Sequence, residues 1–172
     1  MGGVAARLKG ARAAGGDRNY FKEGNHVARL DSFKFDETRK RIEMFATDFT
    51  VMLTDSEHPR MQPGRTVNYA CLVTNDMYDS NLKSLMCAIF RMTEDEYDAT
   101  DDKVLDKMIE DLSGKEQKYA GTCVEVTCPV GEDDRVFPRF SKMSLEDEAL
   151  AKQEFAKSVQ AKAAKAAQAA AQ

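Results

Sequence analysis

HVARLDSFKF (residues 26–35) and IEMFATDFTVML (residues 42–53), joined through DETR (residues 36–39), read as two β-strands and a polar turn. In the second run Phe45, Thr47, Phe49, Val51 and Leu53 recur at every other position, with Glu43 in phase ahead of them. A period of two, rich in β-branched and aromatic residues, is the pattern of a strand with one face in a core. In the first run Phe33 and Phe35 share a face. The pair predicts an antiparallel hairpin.

Outward from the hairpin, Pro59, Pro63 and Gly64 mark residues 55–64 as a loop, and residues 65–74 supply a third strand with Val67, Tyr69, Cys71 and Val73 in phase. Helical spacing then replaces alternation. Ser80 is placed to cap a helix carrying Leu82, Leu85, Met86, Ile89 and Phe90, and Thr93 with Glu96 matches a capping box. Asp101 or Asp102 opens a helix with Val104, Leu105, Met108, Ile109 and Leu112 on one face, stopped by Gly114. Residues 121–128 return to strand. Residues 129–134 form a turn, and residues 135–140 form a closing strand that Pro138 restricts to an edge. Ser144 and Asp147 then cap an alanine-rich helix, expected to hold to about Val159 and to fray beyond it.

The order strand, strand, strand, helices, strand, strand predicts an α+β chain, mainly β. The expected architecture is a five-stranded OB-like barrel over residues 19–142, with a helical insertion between strands 3 and 4. A flexible, basic, Gly-rich N-terminal arm (residues 1–18) precedes it, with a short helix over residues 4–14 possible within the arm, and an Ala-rich C-terminal helix (residues 143–172) follows. The length of 172 residues suits one such domain with extensions.

Charge is distributed unevenly behind a formal net value of −4. Residues 1–41 hold ten Lys/Arg against five acids, residues 94–112 hold nine acids against Lys103 and Lys107, and from Ala149 onwards four lysines face one glutamate. Such asymmetry bears on partners and not on fold. No apolar run reaches the ~20 residues of a membrane span. The first sixteen residues lack the apolar core of a secretory signal. Cys71, Cys87, Cys123 and Cys128 form no Cys-x-x-Cys, and neither His26 nor His58 lies beside a cysteine pair. Reduced thiols in a cytoplasm and no structural zinc are therefore expected. No nucleophile, phosphate-loop or dinucleotide motif is present, and neither catalysis nor a cofactor is expected.

Binding a single strand of nucleic acid requires cations for phosphates and aromatic faces for bases. The first hairpin brings both residue types together. Its candidate contacts are Tyr20, Lys22, Arg29, Phe33, Lys34, Arg39, Lys40 and Arg41, with Arg60, Arg65 and Tyr69 from the third strand and its approach. Phe45 and Phe49 read as core. Tyr20, Phe33 and Tyr69, flanked by basic or polar residues, fit either a core or a stacking role. Arg39-Lys40-Arg41 at the turn reads either as a phosphate contact or as a solvated charge run. The acidic run reads as the solvated face of an amphipathic helix or as a docking surface for a basic partner. Asp101 and Asp102 follow the helix surface and do not suggest a metal site.

Several stretches carry a resemblance: RNYFKEGNHV (18–27), FATDFTVML (45–53), QPG (62–64), VNY (67–69), NLKSL (81–85) and GTCVEV (121–126). Over about residues 4–140 the chain resembles a group of small tailed-bacteriophage proteins and is similar to phage single-stranded DNA-binding proteins with an OB-fold. The resemblance implies binding of single-stranded DNA, without strong sequence preference, in phage replication or recombination. It also implies partners among phage replication or recombination proteins. A homo-oligomer is expected from the sequence, and no membrane association. The chain departs from that pattern at its end, where a basic Ala/Lys/Gln helix stands in place of a flexible acidic tail. The alternative is a virion structural protein, such as a capsid-decorating, tail or connector subunit, for which an arm and a terminal helix suit assembly.

Overall fold

The structure, a computed structural model, describes residues 19–130 and 136–170, so the N-terminal arm and its possible helix over residues 4–14 lie outside the described residues. The alternating run of the sequence forms β2 (Glu43–Thr54), hairpinned to β1 (Gly24–Glu37), and β3 (Thr66–Leu72) follows after a single 3-10 turn at Pro59–Met61. Then come α1 (Tyr78–Phe90), α2 (Glu94–Asp98), α3 (Asp102–Ser113), β4 (Cys123–Cys128), β5 (Arg139–Lys142) and α4 (Leu145–Ala170). The chain is α+β: one five-stranded antiparallel sheet of order β3-β2-β1-β4-β5, with four α-helices among the described residues. The ladder is not closed into a barrel, and β3 and β5 are its two edges.

Two bulges decide which face each side chain takes. Along β1, His26, Ala28 and Leu30 point into the core, and strict alternation would send Phe33 and Phe35 to the opposite face. Asp31 has no partner on β2, because the register passes from Leu30↔Phe49 to Ser32↔Asp48. That extra residue reverses the phase and turns Phe33 inward. On β2 the register passes from Val27↔Leu53 to Ala28↔Val51, which leaves Met52 unpaired. Val51 faces the main core, whereas Met52 is buried against Cys123, Met143 and Ala151, with Val27, Leu53 and Phe155 packed around them. Leu53 therefore lies on the opposite face from Phe45, Phe49 and Val51, contrary to plain alternation. The bulge has given α4 an apolar seat of its own.

The main core lies between the inner sheet face and α1, whose residues Leu85 to Phe90 are all buried. α1 spans the gap between the two sheet edges. Asn81 Nδ2 reaches Cys71 Sγ of β3 at 3.8 Å, and Ser84 Oγ donates to the Phe140 carbonyl of β5 at 3.4 Å. Phe140 also meets Tyr69 across that gap, with ring centroids 4.9 Å apart.

The capping box of Thr93 and Glu96 is present, and Asp101 caps α3. Ser80 does not cap α1. The helix starts three residues earlier, at Tyr78, because Asn75 Oδ1 accepts from Met77 N–H and its carbonyl from Tyr78 N–H, winding the chain before Ser80. β5 begins at Arg139, later than expected: Val136 makes one isolated bridge to Val130, and Pro138 has no N–H to extend it. α4 continues to Ala170, past the expected fraying point, through a run free of Gly and Pro.

The start of α4 is fixed by a buried ionic cluster. Glu148, 8% exposed, accepts from the Arg91 guanidinium, from Lys152 Nζ at 2.5 Å and from the Cys123 N–H at 3.1 Å. Arg91 is the left-handed cap of α1 (φ 60°) and also donates to the Met143 carbonyl at 3.0 Å. One carboxylate thus ties α4 to α1 and β4.

Candidate nucleic-acid interface

On one side β3 follows β2 as far as Met44↔Leu72, whereas beyond residue 31 only β2 pairs with β1. Its free edge is held by a side chain. Gln117 Oε1 accepts from the Phe33 N–H at 2.7 Å, and its Nε2 donates to the Phe33 carbonyl at 2.9 Å. Gln117 itself sits at φ 47°. At the tip Thr38 organises the turn: its hydroxyl accepts from the Lys40 and Ile42 N–H groups, and its carbonyl from the Arg41 N–H. Arg41 adopts φ 58° and, with Arg39 and Lys40, points into solvent. No ion pair engages these three cations among the described residues. Lys34 is exposed and paired with Asp36, whose carboxyl is held below its usual range by that contact and by the Glu37 N–H.

The candidate contacts fall into two groups. Lys34, Arg39, Lys40 and Arg41 gather at the hairpin tip. Tyr20, Arg60 and Arg65 gather near the start of β3, where Tyr20 bridges Asn68 and Asn19 Nδ2 donates to the Arg60 and Thr66 carbonyls. Tyr20 is 44% exposed there. Arg65 hydrogen-bonds through its carbonyl to Val51, so the two groups are separated by about eight strand residues, or ~25 Å. Lys22 lies near the second group's side of the sheet, and its carbonyl meets His26 Nε2 at 2.9 Å.

Three candidates are placed otherwise. Phe33 is fully buried, stacked on Phe45 at 6.1 Å, and has no face to offer a base; the bulge at Asp31 put it in the core. Tyr69 is a half-buried wall of the core between Phe45 and Phe140, and burial pushes its phenol up. Arg29 lies on the outer sheet face, tied to Asp31 at 3.1 Å and to Thr50 at 3.3 Å. Phe35, absent from the expected contacts, stands 44% exposed at the hairpin's end. Its signal was its phase with Phe33, read together with its nearness to the turn.

The outer face of β1–β3 is a polar ladder with small residues. Asp31 accepts from Thr50 at 2.6 Å. Asp48 accepts from Ser32 at 2.9 Å and from Asn68, and Ala46 pairs with Ala70. The acidic run forms α2 and the exposed side of α3, with Lys83–Asp98 and Lys107–Glu110 pairs. The four thiols are buried and unpaired. Burial pushes Cys128 up to about 12; burial and the Glu148 carboxylate push Cys123 up to about 11, so these two are neutral and inert as nucleophiles at neutral pH. Among the described residues no group of three or more His, Cys, Asp or Glu is placed to hold a metal ion, and no helix is long and apolar enough to cross a membrane.

No protein-family model matches this chain, and no curated protein matches it in sequence. The functional reading therefore rests on the hairpin and its surroundings.

Proposed function

We propose that the chain binds single-stranded DNA without strong sequence preference, in the replication or recombination of a bacteriophage. The observation that carries this reading is the β1–β2 hairpin, which holds Arg39, Lys40 and Arg41 in solvent with no ion-pair partner among the described residues. Unpaired cations on an exposed turn neutralise phosphates at little desolvation cost. The strand order β3-β2-β1-β4-β5 is compatible with an OB-like architecture, since a β3–β5 pairing would close it into a five-stranded ring. The meeting of Tyr69 and Phe140 across the gap between those edges, and α1 beneath it, fit the same reading. Self-association and a place in the host cytoplasm belong to this proposal; light scattering tests the first.

Anisotropy of a labelled oligo-dT at low salt is the direct assay. Tighter binding to the single strand than to a duplex, falling steeply with salt, is expected. Absence of binding, or preference for the duplex, removes the proposal.

A virion structural role is favoured by one observation: α4 runs 26 residues, and from Val159 to Ala169 its side chains are exposed, which suits a neighbour in an assembly. Mass spectrometry of purified particles distinguishes the two readings, because only a structural subunit is stoichiometric there.

A further inference from the structure

We propose that Phe35 is the platform on which an unpaired base stacks, so that the strand runs over the core-side rim of the hairpin and not over the outer sheet face. This inference rests on the single-strand-binding reading and deepens it.

The bulge at Asp31 turns both Phe33 and Phe35 to the core side, but the core ends at Phe33. Phe35 overhangs it, pinned edge-to-face on Phe33 with centroids 5.1 Å apart and planes at 83°. Its cross-strand partner is Phe45, which is itself packed on Tyr78 at 5.4 Å. A ring braced from beneath loses little freedom when a base lies on it, and an exposed braced ring is what stacking requires. The turn that follows carries Arg39, Lys40 and Arg41 as the cations for the flanking phosphates, just past the exposed Glu37–Glu43 pair.

The outer face lacks the ring, and its cations Arg29 and Lys34 are each paired with a carboxylate, Asp31 and Asp36. Its cross-strand neighbours are Ala46 and Ala70, Asp48 and Asn68, Thr50 and Thr66. It presents no ring on those pairs, and the Asp31 and Asp48 carboxylates repel phosphate there. The ligand class follows: a nucleobase with a free face and a flanking phosphate, which a single strand offers and a duplex does not.

The chain contains no Trp, so Phe35→Trp introduces one indole at the proposed contact. Oligo-dT should quench its emission as it binds. Phe35→Ala should weaken binding by about 5- to 100-fold while the far-ultraviolet circular dichroism is unchanged. Binding by the unmodified chain, with affinity within twofold in Phe35→Ala and an unquenched indole in Phe35→Trp, overturns the stacking inference and leaves the single-strand reading standing. Failure of the unmodified chain to bind overturns both.

Discussion

Replacing Glu148 by Ala tests whether one carboxylate fastens the C-terminal helix to the sheet. The substitution removes the acceptor of the Cys123 N–H, which is buried under α4, and an unpaired buried donor costs about 1–3 kcal/mol. It also strips the Arg91 guanidinium of its carboxylate, although Arg91 keeps the Met143 carbonyl. Loss of one partner from a buried pair costs about 3–5 kcal/mol, and less here because Arg91 is a quarter exposed. Lys152, nearly half exposed, adds at most about 1 kcal/mol. A net loss of about 2–4 kcal/mol is expected, seen in urea unfolding as a lower midpoint at unchanged slope, or as a fall of roughly 5–15 °C in Tm. The pH dependence supplies a second measure. Burial alone raises the Glu148 carboxyl, but the Lys152, Cys123 and Arg91 hydrogen bonds outweigh it and hold the group below the ordinary glutamate range. A depressed carboxyl contributes stability above its unfolded value of about 4.3 and loses it as pH falls through the folded value. The gap between the native chain and Glu148→Gln should thus be constant from pH 8 to 5 and shrink below about pH 4. A cost under about 0.5 kcal/mol for Glu148→Ala, or a gap that persists unchanged at pH 3, refutes the reasoning.

Substituting Arg39, Lys40 and Arg41 together by Ala should remove about three phosphate contacts and flatten the slope of log K against log salt by about 2, at unchanged Tm. An unaltered slope places the DNA elsewhere. Gln117→Ala leaves the Phe33 N–H and carbonyl without their partner and should lower stability by about 1–3 kcal/mol in a urea titration, unless water reaches them. The Cys123 and Cys128 thiols should react with a thiol reagent only at the rate of unfolding, and fast labelling of the native chain by mass spectrometry contradicts their burial.

The elements legible in the sequence were those whose signal is local. Alternation over residues 42–53 gave β2, and the Thr93–Glu96 box and the Asp101 cap are where spacing put them. The bulges were not legible, because neither Asp31 nor Met52 carries a local mark such as glycine, and a single inserted residue is invisible to a period count. That is why Phe33 read as a possible surface ring and Leu53 as core. The Gln117–Phe33 contacts join residues 84 apart, and Glu148 meets Arg91 57 residues away, so no window of sequence holds either pair. At the interface the basic turn was legible as composition. Its freedom from ion pairs, and the overhang of Phe35, depend on where the core stops.

The Gln117 carboxamide has a consequence for self-contact. An exposed strand edge invites another strand, and the invitation is made by an N–H and a C=O pointing the same way. In the half of β1 beyond residue 31 those groups on Phe33 are already taken by a side chain that mimics a neighbouring strand for one residue. This half of β1 can therefore go without a neighbouring strand on that side, since a second copy meets a site plugged at Phe33 where it would need an open one.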